Sequence, residues 1–168
     1  MFEFFLYFFL GIFFGNVYEY LLHKYVLHGL GKVKKSYFSS HWHIHHRTAR
    51  KNNFEDISYK NIFSINSNAK RELKHIGILF ILNFPIYFLC PAVYFGLVFN
   101  GILYFLIHRY SHLNPAWAKK YLPWHYEHHM GKNQDKNWCV TLPITDKIVL
   151  FLEKNVYNKL LSKITKKE

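Results

Sequence analysis

The feature that most constrains this fold is residues 76–107, a run of 32 with no charged residue and no histidine. A second apolar stretch, residues 1–22, carries only Glu3 and Glu19 as charges. A helix needs about 20 mostly apolar residues to cross a bilayer. A chain of 168 residues is too small to cover both stretches in a soluble core. The sequence therefore predicts an integral membrane protein, and a buried helical hairpin in a soluble protein is the weaker alternative.

The longer run exceeds one span and contains two prolines, Pro85 and Pro91, which break helices because they lack an amide hydrogen. A bend near Cys90 and Pro91 would divide it into two short spans, residues 72–90 and 92–111. A single tilted helix, or a hairpin that enters the bilayer only partway, stays open. We expect an all-α membrane bundle with about three transmembrane or hairpin helices and a His-rich helical cap on the cytoplasmic side.

We interpret the chain as a single domain over residues 1–168 that divides into four segments. They are the first span (residues 1–22), a cytoplasmic segment with two histidine clusters and a polar connector (23–75), the helical hairpin (76–107), and a cytoplasmic segment with two further histidine clusters and a C-terminal helix (108–168). Within the connector, a short helix is expected near residues 67–73.

The basic residues predict the topology. Lys and Arg number 22 against 10 Asp and Glu, which gives a net charge of +12. None precedes Lys24; eleven lie between Lys24 and Lys74, and eleven between Arg109 and Lys167. If the longer run is a hairpin, both basic stretches lie on one side of the membrane, and the positive-inside rule makes that side cytoplasmic and the N-terminal side external. The membrane would be a bacterial inner membrane or the endoplasmic reticulum. No compact basic motif accompanies the charge, so we do not expect nucleic-acid binding.

The pattern of the C-terminal residues 146–166 predicts an amphipathic helix that lies in the membrane interface. Apolar residues repeat every four positions, at Ile148, Leu152, Val156, Leu160 and Ile164, and Lys147, Lys154, Lys159 and Lys163 lie off that stripe. Thr145 or Asp146 is expected to cap it.

Ten of the twelve histidines form four short clusters with the spacings HX4H, HX3HH, HX3H and HX2HH. Histidines three or four apart share one face of a helix, so most of these clusters present several imidazoles to one point. His23 and His28 are five apart, and we expect a frayed helix end near Gly29 and Gly31 to bring them together. The candidate metal ligands are His23, His28, His41, His45, His46, His108, His112, His125, His128 and His129.

The number of histidines indicates two metal ions. Imidazole suits Fe, Zn, Cu and Ni, and one ion takes about four to six ligands. All four clusters can meet only if the long apolar run is a hairpin, which is also what the charges require. His43 and His75 fit no cluster and are not expected to ligate.

Carboxylates often orient a ligating histidine through its second ring nitrogen. The candidates for this role are Glu19, Glu127, Asp135 and Asp146.

The order of the four clusters in a small membrane protein resembles the fatty acid hydroxylase/sterol desaturase superfamily of membrane non-haem di-iron enzymes. The resemblance covers about residues 16–152, and residues 137–146 are similar to the family's sequence after its last cluster. It implies that the ten histidines hold two Fe ions (Zn in some preparations) and use O₂. The substrate would be an aliphatic C–H bond of a lipid, such as a fatty acyl chain or a sterol, with hydroxylation favoured over desaturation. The short length and HX4H opening also resemble the carotenoid hydroxylases.

The electrons must come from a separate protein. The sequence has no GxGxxG fingerprint and no Cys spacing typical of an iron–sulfur cluster, so we expect a ferredoxin, cytochrome or reductase as donor. An acidic donor would suit the basic cytoplasmic face. Outside enzymes, the alternatives are a His-rich metal transporter and a haem electron carrier. Both would place histidines or ionisable residues within the spans, where residues 76–107 have none.

Overall fold

The computed structural model describes the backbone of residues 1–164 and the side chains of residues 1–157. Within these residues the chain is helical and contains no β-strand, which confirms the predicted all-α class. The described helices are α1 (Phe2–Leu21), α2 (Arg47–Lys51), α3 (Asn68–Asn83), α4 (Pro85–Leu89), α5 (Pro91–Leu113), α6 (Pro115–Tyr121), α7 (Pro123–Met130) and α8 (Ile144–Ile164), with π-helices at Leu22–Leu30 and His41–His46 and a 3₁₀-helix at Ile57–Tyr59.

Three helical stretches are long and apolar enough to cross a membrane: Phe2–Leu30, Asn68–Leu89 and Pro91–Leu113. Their apolar side chains are widely exposed, for example Leu82 at 69% and Leu106 at 54%. Such surfaces are expected where lipid, and not water, surrounds a helix. The expected three membrane-length helices are thus present, and they suggest association with a membrane.

The longer apolar run bends at Cys90. This residue has an extended backbone (φ −153°, ψ 91°), and Pro91 begins α5 directly after it. Pro85 likewise begins α4 where α3 has ended. A single continuous helix is therefore excluded. The short helix expected near residues 67–73 is not separate, because it forms the first turns of α3, with Ser67 as its N-cap.

Helices α1 and α5 cross in very close contact at small residues. A Cβ on Gly96 would lie 2.1 Å from the carbonyl oxygen of Phe8, and one on Gly11 would lie 2.2 Å from that of Val93. Small residues let membrane helices approach at the backbone. The crossing positions α1 relative to α5, and with it the π-helix after α1 that carries His23.

Substituting Gly96 with alanine should therefore force the two backbones apart. We expect a loss of about 1–3 kcal/mol or more in the free energy of unfolding, as for an overpacked core. The matched control is Gly77→Ala on α3, where an added Cβ meets no atom within 4 Å. Thermal unfolding in detergent measures the difference. Equal melting temperatures for the two variants would contradict the close crossing.

The loop before α8 is tied to α1 by a buried carboxylate. Glu19 accepts hydrogen bonds from the Val140 amide, from the Thr141 amide (2.9 Å) and from the Thr141 hydroxyl (2.6 Å). Asn16 adds a bond from its side-chain amide to the Leu142 carbonyl oxygen at 2.9 Å. These contacts hold the loop against the end of α1, beside the first histidine cluster.

The start of α8 differs from the expected cap. The helix begins at Ile144, and Asp146 accepts hydrogen bonds from the Trp138 and Cys139 amides, both at 2.8 Å. The Thr145 hydroxyl donates to Asn16 Oδ1 at 2.8 Å. Neither side chain caps the helix, because both are used to bind neighbouring segments.

The predicted apolar stripe on α8 is exposed as far as its side chains are described. Ile148, Leu152 and Val156 are 42%, 54% and 58% exposed. The stripe's remaining members, Leu160 and Ile164, and the last residues of the predicted helix lie outside the described side chains. An interfacial position for α8 remains a prediction.

Candidate metal centre

Nine buried or half-buried histidines form two groups. Each member contributes one ring nitrogen, and within a group these nitrogens all lie within 4.8 Å of one another. Group A consists of His23, His28, His41, His46 and His128, and group B consists of His45, His108, His112 and His129. The tenth candidate, His125, adjoins group B, with its Nε2 3.3 Å from His112 Nε2. Either group could hold a metal ion.

The pairs spaced by five residues meet because they lie on π-helices. A π-helix bonds residue i to i+5 and so brings residues five apart onto one face. The ring centroids are 5.1 Å apart for His23 and His28, and 4.9 Å apart for His41 and His46. The frayed end expected near Gly29 and Gly31 was wrong, since regular π-helix covers Leu22–Leu30. The spacing of five residues, which occurs twice in the sequence, was the signal that could have predicted these π-helices.

Consecutive histidines divide between the two groups. His45 joins group B and His46 group A, whereas His128 joins group A and His129 group B. The rings of His46 and His129 stack with centroids 4.1 Å apart. The two groups are therefore in direct contact and form one centre.

Four of the five Nδ1 atoms of group A are occupied by hydrogen bonds to protein oxygens. Their acceptors are the Trp138 carbonyl for His23 (2.5 Å), Asp135 for His28 (3.3 Å), Gln134 for His46 (2.8 Å) and the Lys136 carbonyl for His128 (2.7 Å). A neutral imidazole that donates through Nδ1 carries a bare lone pair on Nε2. These four rings are fixed in the tautomer that ligates a metal through Nε2.

The bare nitrogens face one another. In group A, Nε2 of His41 lies 3.0 Å from Nε2 of His23 and 3.2 Å from Nε2 of His46. Two ligand nitrogens bound at about 2.0–2.1 Å to one ion are separated by about 3 Å. Lone pairs at this distance repel unless a cation lies between them. The donor set of group A therefore fits a metal ion.

Group B and its neighbour leave ring nitrogens buried without a partner. Among the described residues, Nε2 of His45, His108 and His129 has no hydrogen bond, and both Nδ1 of His125 and Nδ1 of His129 are also unpaired. An unsatisfied buried polar group costs about 1–3 kcal/mol. A metal ion would satisfy the Nε2 atoms together, so group B fits one as well.

Carboxylates orient the group B rings. Asp56, which is 1% exposed, lies 3.0 Å from His45 Nδ1. Glu72 lies 2.7 Å from His108 Nδ1 and accepts a second hydrogen bond from the Tyr59 hydroxyl at 2.6 Å. Such partners fix the tautomer and increase the basicity of a ligating ring.

Phe54 completes the support of group B. Its φ of 81° lies in the left-handed region, where a bulky residue is uncommon. This conformation directs its carbonyl oxygen to within 2.9 Å of His112 Nδ1, while its ring stacks on His112 with centroids 4.4 Å apart.

Of the four carboxylates considered for orienting histidines, the structure places Asp135 beside a ring nitrogen. Glu127 pairs with Lys136 at 3.2 Å, and Glu19 and Asp146 accept from the loop before α8. Asp56 and Glu72 were missed. They lie in the connector and its first helix, where no spacing relates them to a histidine in sequence.

Burial favours the neutral form of five of the imidazoles. The pKa values of His41, His46 and the three histidines of α7 lie well below the usual range, first because burial disfavours the charged form and then because neighbouring rings repel a charge. Burial alone would raise the pKa of Asp56, but hydrogen bonds from His45, Ser58 and Asn68 hold it below its usual range. A neutral imidazole is the form of histidine that ligates metals.

His43 and His75 lie outside both groups. His43 Nε2 lies 3.0 Å from the carbonyl oxygen of Lys32. His75 is half-buried, and its ring packs against Tyr37 and Phe38 with centroids 5.4 and 5.7 Å away.

An Asp56→Asn variant should weaken metal binding by about 10- to 100-fold, the usual effect of losing such a partner. The matched control is Glu127→Gln, since the half-exposed Glu127 carboxylate pairs with the Lys136 side-chain ammonium and is hydrogen-bonded to no histidine ring among the described residues. Titration with Co²⁺, followed by its absorption bands, measures the affinity. Equal affinities in both variants would show that Asp56 does not support the centre.

An apolar cavity of about 350 Å³ borders the centre at His23 and Glu72. A smaller cavity of about 40 Å³ adjoins His41 and His45, one from each group, and also Glu72. The centre is thus next to an apolar volume among the membrane-length helices.

No protein-family model, curated protein or solved structure matches this chain. The molecule is an all-helical protein with membrane-length helices and a buried centre of ten histidines in which two groups could each bind a metal ion.

Proposed function

We propose that this protein is an O₂-dependent membrane oxygenase that hydroxylates, or desaturates, an aliphatic carbon of a lipid at a di-iron centre. The observation that carries the proposal is the pair of contiguous all-histidine groups beside an apolar cavity. Side chains alone do not attack an unactivated C–H bond, so a redox cofactor is needed there.

Groups A and B would each hold one iron ion. When bound, the two ions would supply the electrons that reduce O₂ and the oxidising power that breaks an aliphatic C–H bond. An imidazole set also accepts zinc, so zinc in an overproduced sample would not contradict iron.

The protein's own residues prepare the site. Asp56 and Glu72 hold the rings of His45 and His108 in orientation. Phe54 and Tyr59, which are 0% and 2% exposed, cover His112 from solvent. A hydrocarbon bound in the apolar cavity would lie next to His23, at the edge of group A. Together these contacts orient the ligands, exclude water and position the substrate.

We further propose that the chain belongs to the fatty acid hydroxylase/sterol desaturase superfamily that its histidine clusters resemble. The distribution of Lys and Arg supports a cytoplasmic position for the centre. It also supports a separate acidic electron donor, such as a ferredoxin, cytochrome or reductase. The membrane would be a bacterial inner membrane or the endoplasmic reticulum.

Growth of producing cells under ¹⁸O₂, followed by lipid mass spectrometry, tests this function. We expect a lipid that carries one ¹⁸O atom, or one that has lost two hydrogens, only in cells with the intact protein. Cells that produce His108→Ala at equal levels in the membrane are the control. An unchanged lipid profile in cells with an iron-loaded protein, or the same product from the variant, would contradict the proposal.

A further inference from the structure

The two groups differ in how closely water can approach the side chains that support their rings. In group A, the Nδ1 partners include Asp135, whose side chain is 49% exposed, and the half-buried Gln134. The carboxylates that orient the rings of group B are more enclosed, since Asp56 is buried and the Glu72 side chain is 12% exposed. Group A is therefore the group whose supporting side chains reach the aqueous surface of the protein.

Trp42 also connects group A to the surface. Its half-buried ring lies 4.9 Å from the ring of His28 and 5.3 Å from that of His46, measured between centroids. The Lys32 ammonium lies 4.7 Å from the centroid of the Trp42 ring and donates to both carboxylate oxygens of Asp135 at 2.7 Å. Asp135 in turn lies 3.3 Å from His28 Nδ1. Surface side chains therefore contact His28 by two routes, one aromatic and one hydrogen-bonded.

The surface around Trp42 is basic. We call it the Trp42 face and define it as Trp42 with residues 32–35 and 131–137, two segments that the ion pair of Lys32 with Asp135 joins. These segments carry a single carboxylate, that of Asp135, and five exposed lysines: Lys32, Lys34, Lys35, Lys132 and Lys136. The face lies beyond the end of the membrane-length stretch Phe2–Leu30. A positive surface attracts and orients an acidic partner protein.

We propose that an acidic one-electron donor protein docks on the Trp42 face and that its electrons enter group A before group B. This locates the donor of the oxygenase and rests on the proposed function. Electron transfer slows steeply with distance, so the group nearest to the docked donor receives the electron first. Anionic lipid headgroups would need only the lysines, whereas the contacts of Trp42 and Asp135 with His28 favour a redox partner.

The electrons balance as follows. Each transfer oxidises the cofactor of the donor by one electron and reduces one Fe(III) to Fe(II). Two such transfers, with two protons and O₂, convert one C–H bond to an alcohol and release one water molecule. The face therefore has to receive the donor twice for each product molecule, which favours a transient encounter steered by charge.

Zero-length cross-linking tests the docking surface without turnover. The iron-loaded protein in phosphatidylcholine nanodiscs is mixed with a plant-type ferredoxin, an acidic one-electron carrier, and a carbodiimide joins ferredoxin carboxylates to the lysines that they contact. We expect mass spectrometry to find amide links at lysines of the Trp42 face, such as Lys34 and Lys132, and none at the exposed Lys70 on α3. Links that form only outside the face would overturn the inference.

Acetylation of lysines distinguishes a docking surface from a membrane contact. The lysines of the Trp42 face should react with an acetylating reagent equally in detergent and in nanodiscs. Protection of these lysines in nanodiscs alone would assign the face to lipid headgroups and would likewise overturn the inference.

Charge reversal supplies the matched comparison. Lys132→Glu on the Trp42 face should slow the second-order reduction of the iron by reduced ferredoxin about 10-fold at low ionic strength, and added salt should diminish this difference. Lys70→Glu makes the same change of charge outside the face and should have little effect. Dithionite, a small reductant, should reduce both variants at equal rates, which shows that their metal centres are intact. Mössbauer spectra of freeze-quenched ⁵⁷Fe samples measure the Fe(II) fraction. Equal ferredoxin rates in the two variants would contradict docking on the face.

Variants that lack one group test which group receives the electron. Group A would hold the iron in His45→Ala, and group B would hold it in His128→Ala. At equal iron content, ferredoxin should reduce the iron of His45→Ala about 10-fold faster than that of His128→Ala, which corresponds to about 1.4 kcal/mol in activation free energy. Dithionite again controls for the reducibility of the iron. Equal rates, or a faster reaction of His128→Ala, would overturn the entry of electrons through group A.

The outcomes separate this inference from the proposed function. Cross-links and reduction rates as expected, without any oxidised lipid in the ¹⁸O₂ experiment, would support docking and electron entry and contradict the oxygenase. An oxidised lipid together with equal ferredoxin rates in Lys132→Glu and Lys70→Glu would support the oxygenase and overturn the inference.

Discussion

Replacing His45 with alanine should reduce the bound metal from about two ions per chain to about one and abolish product formation. His45 Nε2 is buried and has no hydrogen bond among the described residues, so the metal in group B is its expected partner. His128→Ala should have the same effect on activity through group A. Elemental analysis of the iron-reconstituted protein and lipid mass spectrometry measure the two effects.

The control for both variants is His43→Ala. His43 lies two residues before His45 in the sequence, yet its ring contacts the Lys32 carbonyl oxygen and belongs to neither group. We expect this variant to retain its metal and its activity. Retained activity in both His45→Ala and His128→Ala, or loss of metal in His43→Ala, would show that the ligand set is wrong.

Removing the metal should lower the melting temperature by about 10 °C. A ligand held at about a thousand times its dissociation constant stabilises the folded state by about 4 kcal/mol, and each kcal/mol shifts the melting temperature of a chain of this size by about 2–4 °C. The physical cause is the set of buried nitrogens that lose their only partner, such as His108 Nε2. Thermal unfolding before and after treatment with a chelator measures the shift.

Adding iron back should restore the melting temperature. A double variant, His45→Ala with His128→Ala, should show a much smaller response to the chelator because one ligand is missing from each group. If the chelator removed all metal without changing the melting temperature of the unmodified protein, the histidines would be satisfied by other means. The interpretation of the centre would then fail.

The overall architecture could be predicted because it depends on composition and on local chemistry. The absence of charge over residues 76–107 predicts membrane-length helices, and Pro91 predicts the bend that the structure places at Cys90. The histidine spacings are also local, since helix periodicity determines which rings share a face. His108 and His112, four apart on α5, lie in one group as that periodicity requires.

The features that sequence reasoning missed depend on tertiary contacts or on unusual backbone. The π-helices that pair His23 with His28 replace the regular helix that a periodicity argument assumes. Glu72 is 36 residues from His108 in sequence, and it reaches the ring because α3 returns alongside α5. The split of His45 and His46 between two groups likewise depends on where the other helices lie. The spacing of residues within one segment does not determine which residues of other segments they contact.

Anomalous X-ray diffraction at the iron absorption edge from crystals of the iron-loaded protein would test the dinuclear centre most directly. We expect two peaks, one enclosed by the Nε2 atoms of group A and one by those of group B. No iron peak within either group, or iron bound only at surface histidines such as His43, would contradict the proposed centre.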